Sequence, residues 1–416
     1  MKILFTGGGT GGHVLPIIAV VREIRRIYSK PDLQFFYLGP RDEFGSILLS
    51  QEGIKVKTVL AGKIRRYLDW KTIFQNLGDL LFKIPIGILQ AFFYIFFLAP
   101  DLIFSKGGFG SIPGVISGWA LRVPIFLHES DVTPGLANRF LSRFALEIFV
   151  SFPGTEYLKP SKMILVGNPI RREILEGSKE EARQFFKLSG QKPVILILGG
   201  SQGAQRINDK ILEILPDFLK NFELLHQSGE KNFEEVRAEA KAIMPQDLGK
   251  YYHPFPFLKE EEMRQAYAAA DLIVSRAGSG GVFEIAAAGK PSILIPLPEA
   301  AQNHQIKNAY AYAESGASIV IEEANFTAHF FLEKLKHLFS QPPSEVKPSE
   351  VRDEAKPQRS PSSAKPSEGG DETKSQRSEE LEKMGKAARE FSKPEAAKII
   401  ATYLVECLTP LEVPKK

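Results

Sequence analysis

Three glycine-rich turns carry most of the residues whose types and spacing could do chemistry. Gly7–Gly12 directly precedes His13, Gly199–Gly203 follows an apolar run, and Gly278–Gly281 is followed by Glu284. A small-residue turn that opens a helix presents unpaired backbone N–H groups and the positive end of the helix dipole, so it attracts phosphate. We expect His13 to have an ordinary pKa, which suits a general base. Glu284 can accept hydrogen bonds from a ribose diol. These residues indicate a phosphorylated ligand.

The first turn has the spacing of a dinucleotide-binding fingerprint but lacks one part of it. Gly7, Gly9 and Gly12 fit the pattern GxGxxG, in which a backbone without Cβ atoms approaches a diphosphate closely. The fingerprint also needs an acidic residue at the end of the second strand. The predicted strand Phe35–Leu38 is followed instead by Gly39-Pro40-Arg41. A nicotinamide cofactor is therefore not expected, and a tight packing turn is the alternative interpretation.

The elements that position these turns form an internal repeat. ILFTGGGTGG, starting at Ile3, matches ILILGGSQGA at Ile195, and PDLIFSKGGFGS at Pro100 matches ADLIVSRAGSGG at Ala270. Each copy is an apolar, β-branched run that enters a helical pattern through a glycine turn, which is typical of a buried parallel strand. Two copies in the same order predict an α/β protein with two Rossmann-like, doubly wound domains. Their switch-point crevices would face each other across a ligand cleft.

Composition restricts the class of protein. The chain has 416 residues, enough for two or three domains, and 44% of them are hydrophobic. Its one cysteine, Cys407, excludes an internal disulfide and a cysteine-based zinc site. Residues 1–166 carry 19 basic against 12 acidic residues, whereas the rest carries 34 against 37. The first half therefore favours an anionic partner. No secretion signal is expected, since MKILFTGGG begins directly with a strand.

A basic and aromatic cluster precedes a long apolar run in the first half. The cluster has the composition of an interfacial membrane patch, although a solvated amphipathic helix is the open alternative; its key residues are Arg65, Arg66, Trp70, Lys71 and Phe74. Ile84–Ala99 follows with 16 residues that include Pro85 and Gly87. A spanning helix needs about 20 apolar residues. The run is therefore predicted to be a helix packed on the sheet.

Residues 341–380 differ from the rest of the chain. This segment contains six prolines, no aromatic residue and few apolar side chains. It cannot bury enough surface to offset the entropy of ordering, so it is predicted to be a disordered insert near the C-terminus. Helical spacing returns at Leu381 and continues through Leu404.

Several stretches together resemble the MurG family of bacterial N-acetylglucosaminyltransferases. The resemblance runs from Met1 to about Phe339 and resumes at Leu381, so it covers nearly everything except the insert. Six motifs occur in the family order, which makes chance agreement negligible. They are Thr10–His13, Lys106–Gly110, His128–Ser130, Gly167–Arg171, Gly199–Ala204, and Ala277–Gly289 with His304, Gln305 and Asn308.

The resemblance implies a GT-B fold and a particular reaction. Residues 1–166 would form the acceptor and membrane-associating domain, 167–392 the UDP-sugar-binding domain, and 393–416 a helix that returns to the first domain, followed by a tail. The implied reaction moves N-acetylglucosamine, with inversion, from UDP to the C4 hydroxyl of undecaprenyl-pyrophosphoryl-N-acetylmuramyl-pentapeptide (lipid I). Its product, lipid II, serves peptidoglycan synthesis. The enzyme would be peripheral, on the cytoplasmic face of the bacterial cell membrane.

The resemblance also implies binding roles for individual residues. On the donor side, Arg171 and Ser201 would contact the diphosphate, Leu258 the uracil through its backbone, and Glu284 the ribose. The remaining donor residues would line the nucleotide or read the sugar: Ser279, Gly280, Gly281, Val282, Phe283, His304, Gln305 and Asn308, with Thr10, Gly11, Gly12 and Asn138 closing from the first domain. Gly107 and Gly108 would face the acceptor. The family often has isoleucine at the position of Leu258, and aligning this segment needs a one-residue insertion.

Two residues are candidates for the base, and no cofactor is expected. His13 is the first candidate, although it could instead orient its loop or bind acceptor phosphate, and Glu129 is the second. No Asp-x-Asp follows a strand, so a metal clamp has no obvious ligand set, and helix N-termini with Arg171 could stabilise the departing diphosphate. The expected partners are UDP-N-acetylglucosamine, lipid I and an anionic membrane surface. Other cell-wall synthesis proteins are further candidates, and nucleic acid is not expected.

Two alternatives stay open at the level of sequence. Another GT-B enzyme, such as a glycolipid glucosyltransferase or a UDP-N-acetylglucosamine 2-epimerase, could share these glycine turns. A nucleic-acid-binding protein could use the basic first half, although the basic residues there lie among large aliphatic side chains and no RNP-type or zinc motif is present.

Overall fold

The structure is a computed structural model that describes residues 1–8, 11–29, 32–63, 70–200, 203–340 and 379–408. The predictions for Thr10, Arg65, Arg66 and Ser201 lie outside these residues, as does the predicted insert up to residue 378. The side chain of Lys71 is also outside the description.

The first domain contains a seven-stranded, fully parallel sheet in the order β3-β2-β1-β4-β5-β6-β7. Its strands are β1 Lys2–Thr6, β2 Gln34–Gly39, β3 Lys55–Thr58, β4 Leu102–Ser105, β5 Ile125–Glu129, β6 Glu147–Val150 and β7 Met163–Leu165. Its helices are α1 Gly11–Ile27, α2 Glu43–Gln51, α3 Trp70–Gly78, α4 Ile84–Leu98, α5 Ile112–Ala120 and α6 Leu136–Leu141. Helices cover both faces, which lets the interior strands carry uninterrupted apolar runs such as Ile3–Phe5 and Leu102–Phe104.

The second domain contains a six-stranded parallel sheet in the order β10-β9-β8-β11-β12-β13. Its strands are β8 Val194–Leu198, β9 Glu223–Gln227, β10 Tyr252–Phe255, β11 Leu272–Ser275, β12 Ser292–Leu294 and β13 Ser318–Val320. Its helices are α7 Lys179–Phe186, α8 Gln205–Asn221, α9 Phe233–Ile243, α10 Glu260–Ala269, α11 Ser279–Ala287, α12 His304–Ala313, α13 Ala328–Phe339 and α14 Glu379–Phe391.

The internal repeat occupies equivalent places in the two sheets. β1 and β8 are each the third strand from one edge of their sheet, and each is followed by glycines and a long helix, α1 or α8. β4 and β11 lie next to them, with Phe5 paired to Phe104 in one sheet and Ile197 to Val274 in the other. In both sheets the strand order reverses between these two strands, which is the position where α/β proteins bind ligands. The prediction of two Rossmann-like domains is confirmed.

The last helix of the described chain returns to the first domain. α15 Ala396–Leu408 is separated from α14 by a short segment that contains Pro394, so the helical spacing after Leu381 belongs to two helices. Ile400 and Leu404 are fully buried in the core that contains α1. The Tyr403 ring packs edge-on against Phe149, with the ring centroids 5.5 Å apart. α14 and α15 therefore connect the two domains.

The apolar run in the first half continues an earlier helix. α3 passes through a π-helical turn, Asp79–Lys83, directly into α4. One face of α4 packs on the domain through Gly87, Ala91 and Ile95, as predicted. The helix is longer than the 16-residue run, however, and among the described residues one stretch, Thr72–Leu98, is by length and composition long and apolar enough to cross a membrane. Length and composition alone are weak evidence of a span, since core helices of soluble proteins meet the same criteria.

Candidate active site

The imidazole of His13 lies between two glycine turns at the carboxyl edge of the first sheet. A Cβ on Gly8 would lie 2.9 Å from its Cε1 atom, and a Cβ on Gly108 would lie 2.9 Å from its Nε2 atom. Gly107 and Gly108 have φ angles of +82° and +80°, which side-chain-bearing residues rarely adopt. The glycines after β1 and β4 are therefore needed for the ring to occupy this position.

The prediction of an ordinary pKa for His13 is wrong. Burial, followed by the positive charge of Lys106, lowers the pKa of His13 to about 4. An ammonium group near an imidazole disfavours a second positive charge, and so does removal from water. His13 is therefore neutral at pH 7, which is the form that accepts a proton, although it is a weaker base than an exposed histidine.

The second candidate base, Glu129, is the last residue of β5 and is buried. Burial raises its pKa to about 7, and the nearby Asp131 acts in the same direction. One carboxylate oxygen accepts a 2.7 Å hydrogen bond from Asn138 Nδ2, and the other accepts one of 2.9 Å from the Asp131 backbone N–H. The Asn138 amide also accepts from the Gly108 N–H at 3.3 Å. Glu129 and Asn138 thus brace the glycine turn beside His13 from within the first domain.

Lys106 belongs to the same cluster, and sequence reasoning assigned it no role. Only 3% of Lys106 is exposed, and its ammonium group donates to Ser130 Oγ. Burial lowers the pKa of Lys106 to about 8, against the opposing effects of Glu129 and Asp131. The sequence did contain an indication that Lys106 has a role. It stands between an apolar strand and a glycine turn, where packing does not need a charged side chain.

On the side of the second domain, Glu284 and Arg171 lie close together, and their donor-binding roles stay predictions. Arg171 Nη2 is 3.8 Å from Glu284 Oε1, and the Tyr267 hydroxyl donates to Glu284 Oε2 at 3.0 Å. Burial raises the pKa of Glu284, opposed by the charge of Arg171. A carboxylate held in this way is fixed in position and can accept hydrogen bonds from a diol.

Arg171 has a closer partner that the sequence did not indicate. Its Nη1 atom forms a 2.8 Å ion pair with Glu260 Oε2, while Glu260 Oε1 lies 2.8 Å from Arg22 Nη1. Arg22 belongs to α1 of the first domain, and it also pairs with Glu52 and Glu173. Glu260 therefore bridges the two domains. An acidic residue at the start of a helix is common, so its position in α10 gave no functional signal.

The backbone of Leu258 is already engaged in this structure. Its N–H donates to Gln227 Oε1 at 3.2 Å, and Gln227 Nε2 donates to the Gly200 carbonyl at 3.2 Å. The predicted uracil contact through Leu258 stays a prediction, and a contact to the backbone N–H would have to replace Gln227. Gln227 fixes the segment before α10 to the glycine turn after β8.

The start of α11 contacts the first domain. Ser279 Oγ donates to the Ser130 carbonyl at 2.6 Å. Val282 and Phe283 are buried in the core, so these two could reach a nucleotide only through their backbone. Gly280 and Gly281 have room beside them, because a Cβ would meet no atom closer than 3.8 Å at either glycine. At the start of α11, the space beside Gly280 and Gly281 is therefore the part that is open.

The predicted sugar-reading residues on α12 have different surroundings. Asn308 is fully buried, donating to Asp131 Oδ1 at 2.8 Å and accepting from the Val132 N–H at 3.0 Å. It therefore joins the domains rather than facing an open cleft. Gln305 Oε1 accepts from the Leu297 N–H at 3.0 Å. His304 begins α12 directly after Asn303, which has a φ of +54°.

The aromatic residues of the predicted membrane patch are exposed. Trp70 is 78% exposed and Phe74 68% exposed, so both aromatic rings face outward from α3. Within the described parts of the chain, no group of three or more His, Cys, Asp or Glu side chains is placed to hold a metal ion.

Comparison with protein families identifies the class of protein. Residues 3–150 match the family model of the glycosyltransferase family 28 N-terminal domain, and residues 194–365 match that of the family 28 C-terminal domain. The protein is therefore a two-domain glycosyltransferase.

Curated relatives and solved structures narrow this class. A Bacillus cereus protein is 38% identical over 81% of this chain and 91% of its own length, and a Clostridium tetani protein is 36% identical over 81% and 90%. Both are named UDP-N-acetylglucosamine--N-acetylmuramyl-(pentapeptide) pyrophosphoryl-undecaprenol N-acetylglucosamine transferase, the first with the suffix 2. The crystal structure of Acinetobacter baumannii MurG, 24% identical, covers 97% of this chain and 99% of its own with a TM-score of 0.67. The chain belongs to glycosyltransferase family 28 and, within it, to the MurG family.

A solved structure that is less similar in sequence shares the fold of this chain. A UDP-GlcNAc 2-epimerase from Neisseria meningitidis covers 98% of this chain and 100% of its own, with a TM-score of 0.60 and 15% identity. At that identity the likeness shows the two-domain fold and no shared activity.

Gly108 provides a test of how the His13 ring is held. Gly108→Ala would place a Cβ 2.9 Å from His13 Nε2 at a φ of +80°, so we expect a loss of about 1–3 kcal/mol of stability. Gly154→Ala is the control, because a Cβ there meets nothing within 4 Å. Chemical denaturation of both variants measures the difference. Equal stability of the two would show that the turn after β4 is not constrained.

Proposed function

We propose that the chain transfers N-acetylglucosamine from UDP-N-acetylglucosamine to the C4 hydroxyl of undecaprenyl-pyrophosphoryl-N-acetylmuramyl-pentapeptide, with inversion at the sugar carbon. The names of relatives at 36–38% identity support the substrates. The observation that carries the proposal is that one domain presents a neutral histidine and the other presents the Arg171–Glu284 pair. A junction at Ser130 and Ser279 joins the two sides.

The donor side of the proposal uses charges that are already held in place. Arg171 and the N-terminus of α11 would stabilise the diphosphate, and Glu284 would bind the ribose hydroxyls. Arg171 is paired with Glu260, so a bound diphosphate would compete with that carboxylate for the guanidinium group. In this proposal donor binding therefore loosens the contact between Arg171 and the Glu260 bridge to α1. The proposed reaction has no step that needs a metal or another cofactor.

On the acceptor side, the proposed reaction needs a base for the hydroxyl proton and groups that stabilise the departing UDP. The C4 hydroxyl oxygen attacks the anomeric carbon of the donor sugar, the bond from that carbon to UDP breaks, and the hydroxyl proton passes to His13. Arg171 and the α11 dipole stabilise the charge that develops on UDP. Glu129 is less suited to take the proton, because both of its oxygens already accept hydrogen bonds from within the first domain.

Release of UDP tests the proposed reaction directly. Purified protein with UDP-N-acetylglucosamine should release UDP only when a lipid-linked muramyl-pentapeptide is added, and the acceptor should gain one N-acetylglucosamine. Release without acceptor would indicate an epimerase-like activity instead. The matched control is the Arg171→Ala variant, which loses the proposed diphosphate contact and should be slow with the complete substrate pair.

His13 should control turnover rather than donor binding. His13→Ala removes the proposed proton acceptor, so kcat should fall by roughly 10²–10⁴-fold while the affinity for UDP survives. In the unmodified protein the acidic limb of the kcat/KM profile should lie near pH 4, below the ordinary value of 6.5, because the neutral form persists to that pH. Initial rates across pH and calorimetric UDP binding measure both. A variant that keeps its turnover and its acidic limb would transfer the role to another group.

We also propose a peripheral position on the cytoplasmic face of the bacterial cell membrane, where a lipid-linked acceptor would be found. Exposed aromatic side chains on α3 and the basic residues near them in the sequence support this, since each basic residue near an anionic surface contributes about 1 kcal/mol. High salt should release the protein from anionic vesicles, and Trp70→Ser with Phe74→Ser should weaken binding. Phe330→Ser, an exposed aromatic on α13, is the control. Release by detergent alone would mean that Thr72–Leu98 inserts into the bilayer.

A further inference from the structure

Asn168 lies where the chain passes from the first domain to the second, and the proposed reaction does not use it. Only 2% of this residue is exposed. The N–H of the preceding Gly167 donates to the carbonyl of Val150, the last residue of β6, at 3.2 Å. Pro169 follows, and a residue before a proline is restricted to extended conformations. The backbone on both sides therefore holds the Asn168 side chain in one place.

The direction of the Asn168 amide is set by its neighbours. The ammonium group of Lys106, which can only donate, gives a hydrogen bond to Ser130 Oγ. Ser130 Oγ in turn donates its single hydrogen to Asn168 Oδ1 at 3.3 Å. Oδ1 is therefore the accepting end of the amide, and Nδ2, with two N–H groups, is the donating end.

The Nδ2 atom has no partner for those hydrogens. It makes no hydrogen bond to any residue that the structure describes. A Cβ placed on Gly280 would lie 3.9 Å from Asn168 Nδ2 and would meet no other described atom within 4 Å outside its own helix. The nitrogen therefore faces the open space beside the first turn of α11. Because burying a donor without a partner costs free energy, an unused amide at this position indicates a ligand.

The other groups at this turn also donate. The first N–H groups of an α-helix have no carbonyl partner within it, and Gly278, the residue before α11, has no side chain to cap them. The Ser279 hydroxyl donates to the Ser130 carbonyl at 2.6 Å, which leaves these N–H groups to a ligand. The positive end of the helix dipole lies at the same point. A phosphate group fits this set of donors, because it is anionic and accepts several hydrogen bonds.

Arg171 indicates which kind of phosphate compound fits. It follows Asn168 in the same segment, and its Nη2 atom is 3.8 Å from Oε1 of Glu284 on α11. The segment from Asn168 to Arg171 thus runs beside the helix, with the amide at the first turn and the guanidinium group near Glu284. A nucleoside diphosphate can reach both positions, with its phosphates at the helix start and its ribose at the carboxylate. Inorganic phosphate could occupy only the first.

We propose that Asn168 is a further donor-binding residue, whose Nδ2 atom donates a hydrogen bond to a phosphate oxygen of a nucleoside diphosphate at the start of α11. This inference rests on the proposed function, which places UDP against Arg171 and α11. The amide adds a directional contact without a charge, and Ser130 keeps that contact aimed at the helix. Because the contact needs a phosphate, it distinguishes a nucleoside diphosphate from the free nucleoside.

Binding of UDP and of uridine to the full chain tests the proposal without any acceptor. Asn168→Asp keeps an oxygen for Ser130 and replaces the donor with a carboxylate oxygen, which repels phosphate. The dissociation constant for UDP, measured by calorimetry, should rise about tenfold or more in this variant, because hydrogen bonds to charged groups are among the stronger ones. Uridine has no phosphate, so its dissociation constant, measured by NMR titration, should not change.

Two further variants separate the contact from a charge effect or a change in folding. Asn168→Ala removes the donor without adding a charge and should weaken UDP binding by roughly tenfold, again with no change for uridine. Asn221→Asp adds the same charge at the exposed end of α8 and should bind UDP like the unmodified protein. Chemical denaturation identifies a variant that does not fold. If Asn168→Asp does not fold, Asn168→Ala provides the comparison.

The outcomes separate this proposal from the proposed function. A selective loss of UDP binding in the Asn168 variants supports the proposal, even if the lipid-dependent release of UDP is not observed. Equal losses for UDP and uridine would mean that Asn168 only maintains the fold of the site, and this result overturns the proposal. Unchanged UDP binding in a folded variant overturns it as well. If the unmodified protein does not bind UDP, the proposed function fails and this inference fails with it.

Discussion

The proposed active site depends on one junction, where the loop after β5 meets the helices of the second domain. Ser279 binds the Ser130 carbonyl, while Asn308 binds both the Asp131 side chain and the Val132 N–H. These contacts bring the carboxyl edges of two parallel sheets together, and each edge alone holds only half of the residues of the proposed site. Asn308 is fully buried there, so leaving its amide without these partners would cost about 1–3 kcal/mol.

The fold was predictable because its signals are local and occur twice. β1 and β8 are apolar runs that end in glycine turns, and β4 and β11 repeat that pattern. The full length of one helix was not predictable from its apolar residues alone. α3 contains polar residues and a π-helical turn follows it, so the helix that includes Ile84–Leu98 begins well before the apolar run.

The site was only partly predictable, because side-chain environments arise from tertiary packing. Glu284 and Arg171 lie close together, yet the closer ion pair of Arg171 with Glu260 joins elements far apart in sequence. The low pKa of His13 also depends on burial and on Lys106, which no spacing rule could report. Asn308 looked like a ligand contact in the sequence and is a buried bridge in the structure. The positions of the motifs therefore predicted which residues lie at the candidate site. They were a poorer guide to the contacts that each residue makes.

A crystal structure of the full chain with UDP-N-acetylglucosamine would test the central claim, that the two opposed edges form one transfer site, most directly. We expect the diphosphate against Arg171 in place of Glu260, the ribose hydroxyls on Glu284, and the anomeric carbon turned toward His13. We also expect the Ser130–Ser279 contact to remain. A nucleotide bound away from Arg171 and Glu284, or a sugar turned away from the first domain, would contradict that claim.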